Sequence, residues 1–134
     1  MRQPGTGDPA ERPVFQVAST REALGSEPVT VINAFTVPPD ESEQFLRRWK
    51  DNARLMAGQP GFIRARMYRS LADDVELRFV NVAEWDSGKA LNAATANPEF
   101  RASVQRVLDD PDLHVIPRPA VYHVAIDVHP GDPL

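Results

Sequence analysis

The run Val29-Thr-Val-Ile-Asn-Ala-Phe-Thr-Val-Pro-Pro-Asp40 decides how this chain folds. Its first nine residues are mostly β-branched or aromatic and stop at two prolines, which predicts a strand over residues 29–37. Asp40 is then the expected N-cap of a helix, with Glu43 three residues on as in a capping box. Apolar side chains recur behind it at helical spacing as far as Gly58, namely Phe45, Trp49, Ala53 and Met56. The run therefore predicts a strand followed by an amphipathic helix.

The following residues predict the rest of a β-α-β-β-α-β unit. Residues 62–71 and 75–85 read as strands two and three, joined by a turn at residues 72–74. Ser87 is expected to cap a short helix ending near Thr95, and Asn97-Pro98 to start another that ends at Asp109. After a loop with two prolines, residues 120–128 are expected to form the last strand. This order predicts an α+β, ferredoxin-like subunit in which strands one and three are central and the helices cover one sheet face.

The ends of the chain differ in composition from this domain. Residues 1–28 hold four prolines with glycine, serine and charged residues, which predicts a flexible arm. Within it, residues 14–17 could dock as an edge strand or reach a partner subunit. The folded domain is predicted over residues 29–128, and residues 129–134 form a tail. Because the helices cover one face of the sheet, the other needs its own cover, and we expect a homodimer.

Composition excludes several classes of function. The 134 residues carry a net charge of −4 with 15 scattered basic residues, so we expect no nucleic-acid partner. No apolar run is long enough to span a membrane and no secretory signal is evident, which predicts a cytoplasmic protein. There are no cysteines, and the three histidines show no metal-binding spacing, so neither a disulfide nor a metal site is expected.

Two asparagines stand out in the predicted central strands. Alternation places Asn81 in one row with Leu77, Phe79, Ala83 and Trp85, and Asn33 in an equally apolar row of strand one. A buried amide without a partner costs on the order of 1–3 kcal/mol. Each amide could be structural, bonded to the other or to the backbone. The matching faces and the nearby indole favour a ligand pocket with few polar anchors.

Several short motifs carry a family resemblance. They are Asn81-Val-Ala-Glu-Trp85-Asp-Ser, Lys89-Ala90, Asn97-Pro-Glu-Phe100 and the earlier Gln59-Pro-Gly61-Phe62. Over about residues 29–128 the chain resembles the antibiotic biosynthesis monooxygenase family. The resemblance implies a dimeric α+β barrel. It also implies an enzyme of secondary metabolism that oxidises a small aromatic, anthrone-like polyketide with molecular oxygen, using no metal, flavin or other cofactor.

The same resemblance implies the residues of the site. Asn81, Trp85 and Asn33 match the catalytic positions, and the expected substrate contacts are Phe35, Phe79, Leu91, Trp49 and Arg101. Some family members carry a tyrosine where this chain has Leu91, so a proton relay through that phenol is absent. Tyr68 and Tyr122 are loose substitutes, and Arg101 is a weak match. His123 would serve as a base by its pKa, although an edge position facing solvent suits it better.

Two other functions stay open. Structurally related proteins bind and degrade haem, but they use an axial histidine on the last helix, and residues 98–108 contain none. The chain could also be a non-catalytic barrel that binds a small molecule or assists a cyclase. Oxygen consumption with a model anthrone distinguishes an enzyme from such a binding protein.

Overall fold

The structure is a computed structural model that describes residues 25–134. It contains four strands and three helices in the order β1 (Val29–Thr36), α1 (Ser42–Ala57), β2 (Phe62–Arg69), β3 (Phe79–Trp85), α2 (Gly88–Thr95), α3 (Pro98–Leu108) and β4 (Ile116–Tyr122). No helix in this part of the chain is long and apolar enough to cross a membrane. The segment 14–17 and most of the predicted arm lie outside the described residues.

The four strands form one antiparallel sheet in the order β2-β3-β1-β4. Strands one and three are central, as expected, and the ferredoxin-like α+β fold is confirmed. The second helical unit is also split into α2 and α3. In the register of β1 and β3, Asn33 lies directly opposite Asn81, between the pairs Val31–Ala83 and Phe35–Phe79.

The core lies between the sheet and the helices. Side chains of β3 alternate strictly between buried and half-buried positions, so Phe79, Asn81, Ala83 and Trp85 all face the helices. The buried apolar residues form two clusters. One contains Phe35, Phe45 and Phe79, whose neighbouring ring centroids are 5.0 and 5.1 Å apart; the other contains Trp85, with Phe62 packed edge-on at 5.4 Å. The Asn33–Asn81 pair lies in the sheet between the residues of these clusters.

The starts of α2 and α3 follow from the sequence. The Ser87 hydroxyl accepts the N–H of Ala90 at 3.0 Å, and Asn97 Oδ1 accepts two N–H groups at the start of α3. Both predicted caps are confirmed. Two further N–H groups of α2 donate to the carbonyls of Gly25 and Glu27, which precede β1. The first turn of α2 is thereby tied to the segment that enters the domain.

The predicted cap of α1 is wrong. Asp40 lies inside a 3₁₀ turn, Pro39–Glu41, and the helix starts at Ser42 without a side-chain cap. Pro39 occupies the first position of this tighter turn, and Ser42 donates its hydroxyl to the Pro39 carbonyl at 2.9 Å. Glu43 does not reach back to a cap but binds Arg69. The 3₁₀ turn that Pro39 begins thus moves the N-cap of α1 by one residue, from Asp40 to Glu41.

Strands β1 and β2 end one and two residues earlier than predicted, and β3 and β4 differ from the prediction by four residues or more, since β4 was expected over residues 120–128. Strand β3 starts at Phe79, because its pairing with β1 and β2 begins there and residues 75–77 are exposed. Strand β4 spans residues 116–122 and includes Pro117 and Pro119, which were expected to lie in a loop. Because β4 is an edge strand, it pairs on one side only and tolerates the missing N–H donors. Proline therefore did not exclude a strand here.

Candidate functional site

An open cavity separates the central strands from the helices. It spans about 860 Å³ of space, part of which is open solvent at its mouth. Its walls are mostly aliphatic and aromatic side chains from β1, β3, β4 and all three helices. The polar side chains in the lining are amides and one hydroxyl: Asn33, Asn52, Gln59, Asn81 and Thr95.

The sheet side of the cavity carries the two predicted asparagines. They are direct cross-strand partners on one face, so their Cβ atoms are about 5 Å apart. Asn33 Oδ1 accepts the backbone N–H of Arg118 in β4 at 3.0 Å. Asn81 is only 4% exposed, and its Oδ1 has no hydrogen-bond partner among the described residues. The two amides are therefore brought together without satisfying each other.

Four other predicted residues also line the cavity. Trp85 lies four residues beyond Asn81 on the same face, and Phe35 lies two residues beyond Asn33. Trp49 comes from α1 and Leu91 from α2. Aromatic and aliphatic groups thus face one another across the cavity.

Two predicted substrate contacts do not line the cavity. Phe79 is fully buried against Phe45, so it supports the cavity wall from behind. Arg101 lies on the exposed face of α3. Its neighbours Phe100 and Val104 face inward, and helical geometry turns residue 101 away from them.

The residues considered as proton carriers also lie elsewhere. Tyr68 and Tyr122 are about half exposed on the sheet face opposite the helices. His123 follows the end of β4 and is exposed. None of the three lines the cavity. Strand alternation explains the tyrosines, since both occupy positions out of phase with the Asn33–Asn81 pair.

Sequence reasoning missed Asn52 and Gln59. Asn52 in α1 is buried, and its Oδ1 accepts the hydroxyl of Ser103 in α3. Gln59 follows the helix and donates to the Leu55 carbonyl at 3.2 Å. The signal for Asn52 was present, because it lies three residues after Trp49 and four before Met56, on the apolar stripe itself. A polar residue inside that stripe indicates an inward-facing amide.

No ionisable side chain from the described part of the chain lines the cavity. The linked pKa shifts of Glu41 and His114 arise at the start of α1, where Glu41 accepts the backbone N–H and the ring Nδ1 of His114. These bonds lower the pKa of Glu41, and the carboxylate in turn raises the pKa of His114. Within residues 25–134, no three His, Asp or Glu side chains are placed to hold a metal ion. Neutral amide, hydroxyl and indole N–H groups therefore supply the polar chemistry of the described lining.

Comparison with known proteins agrees with this architecture. The model of the antibiotic biosynthesis monooxygenase family matches residues 28–106, which include β1 to β3 and most of the helical layer. The chain belongs to the antibiotic biosynthesis monooxygenase family. No curated protein matches the chain in sequence.

Solved structures of three proteins illustrate the range of this fold. A protein from Shewanella loihica PV-4 shares 28% identity with the chain at a TM-score of 0.62, covering 77% of this chain and 99% of its own. SnoaB, a cofactor-independent oxygenase from Streptomyces nogalater, shares 28% at 0.60, covering 76% and 97%. The haem degrader MhuD from Mycobacterium tuberculosis, solved with two haems in its active site, shares 25% at 0.58, covering 75% and 99%. The chain is thus similar in structure both to a cofactor-independent oxygenase and to a haem degrader.

Proposed function

We propose that this family member is a cofactor-independent monooxygenase that oxidises a small, anthrone-like aromatic substrate with molecular oxygen. The observation that carries the proposal is the Asn33–Asn81 pair beside Trp85 in an otherwise apolar cavity. The similarity to SnoaB, a cofactor-independent oxygenase, supports the same chemistry.

The reaction needs little from the protein because the substrate is itself the reductant. Loss of a proton from the ring methylene gives a carbanion whose charge is shared with the carbonyl oxygen as an enolate. The carbanion adds oxygen to give a peroxide, and loss of water leaves a new carbonyl. One molecule of oxygen thus converts a methylene into a carbonyl and water.

The chain's own residues bind and stabilise this substrate. Trp49, Trp85 and Phe35 hold the flat ring and exclude water. The amide N–H groups of Asn33 and Asn81 can donate to the enolate oxygen, where charge develops in the transition state. No ionisable side chain of residues 25–134 lines the cavity, so the pH dependence of the rate should follow the acidity of the substrate.

Haem binding is the second candidate function, favoured by the similarity to MhuD. The donor set fits it poorly. Helix α3 contains no histidine, and Met56 provides the single sulfur in the described lining. Haemin added to the protein is expected to give no shifted Soret band, and a stable shifted band would favour this second function instead.

The sheet face opposite the helices supports a homodimer. Its middle carries the apolar side chains Ile32, Val80 and Val82, which are only half-buried in one chain. Ile116 and Tyr122 on β4 are 54% and 50% exposed on this face. A second copy of the sheet packed here would bury this surface. Light scattering at micromolar concentration should therefore show a dimer, and a monomer would contradict the proposed assembly.

The activity is tested by oxygen consumption with a model anthrone. The wild type should consume one oxygen molecule for each quinone formed. Asn33→Ala and Asn81→Ala should lower turnover by about 10²–10³, the range for loss of one oxyanion donor. Trp85→Phe keeps a ring and removes the indole N–H, so it separates stacking from hydrogen bonding.

A matched control is Asn92→Ala, which removes an exposed amide of α2 that does not line the cavity. Its turnover should equal that of the wild type. Saturable ring binding without oxygen uptake above the uncatalysed rate would favour the non-catalytic binding function. Unchanged turnover in both cavity variants, together with lowered melting points, would show that the amides are structural.

A further inference from the structure

The two cavity amides have different hydrogen-bonding capacities left for a ligand. Asn33 Oδ1 already accepts the Arg118 N–H of the edge strand. That bond fixes which end of the amide is the oxygen. What Asn33 can still offer is its N–H donors.

Asn81 presents the opposite demand. Its Oδ1 is buried and accepts no hydrogen bond from any described residue, although the Asn33 amide is its cross-strand neighbour. A buried carbonyl oxygen in this state is an acceptor that lacks a donor. No described lining side chain is charged, so this demand comes without an ionic partner. An O–H or N–H group of a ligand bound against Asn81 would supply the missing donor.

We propose that the Asn33–Asn81 pair distinguishes ligands by their hydrogen-bonding groups: the amide N–H groups donate to a carbonyl or enolate oxygen, and Asn81 Oδ1 also accepts from a hydroxyl on the same ring system. Asn33 and Asn81 are directly paired across β1 and β3, so the two ligand oxygens that they bind should lie a few ångströms apart. The site then selects a hydroxylated aromatic ketone with an un-ionised hydroxyl. A phenolate oxygen would face the Asn81 carbonyl with no proton to share and is rejected.

This inference rests on the proposed function only in taking the cavity as the ring-binding site. It is tested by equilibrium binding, which needs no turnover. Both tryptophans of the chain line the cavity, so their fluorescence reports its occupancy directly. The probes are 2-hydroxyanthraquinone and 2-methoxyanthraquinone, which absorb where tryptophan emits and differ in one hydrogen-bond donor.

The wild type should bind the hydroxy compound about 2- to 10-fold more tightly than the methoxy compound, the range for one neutral hydrogen bond. This preference should vanish when the pH is raised until the hydroxyl is ionised. Asn81→Leu should remove the preference at every pH. Asn33→Leu should weaken both ligands alike and keep their ratio. If Asn33→Leu unfolds the edge strand, Asn33→Asp can be measured in its place, because its carboxylate keeps an oxygen that accepts the Arg118 N–H.

The exposed-helix variant Asn92→Leu should bind both probes as the wild type does. A preference that survives in Asn81→Leu, or that is lost in Asn33→Leu instead, would overturn the assignment of donor and acceptor. Equal binding of both probes by the wild type would overturn the assignment of Asn81 Oδ1 as an acceptor and leave the proposed function unaffected. Absence of quenching by either probe would overturn this assignment together with the ring-binding part of the proposed function.

Discussion

Replacing Asn81 with leucine should make the protein more stable and less active. Asn81 is 4% exposed, and its carbonyl oxygen has no described partner, so the folded state carries the cost of a desolvated acceptor. That cost is on the order of 1–3 kcal/mol. Leucine has a similar size, no polar atom and open space beside it, so overpacking adds little.

The free energy of unfolding should therefore rise by about 1–3 kcal/mol in Asn81→Leu, measured by urea denaturation with the slope unchanged. Anthrone oxidation should fall in the same preparation. Asn33→Leu is the matched comparison, because its oxygen is satisfied by Arg118. It should lose about 0.5–1.5 kcal/mol rather than gain stability. A destabilised Asn81→Leu would show that its amide is satisfied in the folded protein, and the argument for an unmet acceptor would fail.

Three other predictions concern the stability of the fold that surrounds the site. Gly61 has a φ of +86°, and a Cβ at this residue would lie 2.4 Å from the Cβ of Ala90. Gly61→Ala should therefore destabilise the protein by about 2–5 kcal/mol, measured by thermal melts. The control is Gly58→Ala, which should cost under about 1 kcal/mol because no atom lies nearer than 3.7 Å to its added Cβ. A chain starting at residue 25 should have the Tm of the full-length protein. A chain starting at residue 28 lacks both carbonyls that accept N–H groups from the first turn of α2, so its free energy of unfolding should fall by about 1–3 kcal/mol. Equal melting of the two shortened chains would show that these two hydrogen bonds do not stabilise the fold. The lowered pKa of Glu41 adds stability that is lost as the pH falls through its folded-state pKa, and the raised pKa of His114 adds stability that is lost as the pH rises through its folded-state pKa. The difference in Tm between the wild type and His114→Gln should therefore be largest between the ordinary pKa values of 4.5 and 6.5. A difference in Tm that does not change with pH would contradict the ion pair's contribution.

The sequence alone determined the parts of this protein that depend on local pattern. Alternation placed Asn81 and Trp85 on one face of β3, and the cap residues Ser87 and Asn97 marked the starts of α2 and α3. These features depend on neighbours within a few residues, where strand alternation and side-chain capping fix the geometry. The strand order followed from the arrangement of elements.

Only the tertiary structure decided which inward-facing residues meet an open space. Phe79 and Phe35 are cross-strand neighbours on the same face, yet one is sealed behind Phe45 and the other lines the cavity. The two residues are paired across the strands, so strand alternation cannot distinguish them, and the difference depends on how the helices pack over each strand. Asn52 lines the cavity through the same helix packing.

The position of the last strand was likewise a tertiary outcome. Pro117 and Pro119 lack N–H donors, which locally argues against a strand, but the edge of the sheet does not require those donors. The resulting register places Arg118 where its N–H reaches Asn33 Oδ1, while the Asn81 carbonyl is left without a partner among the described residues. A residue's own sequence neighbours cannot specify this difference, because it depends on which strands lie beside it.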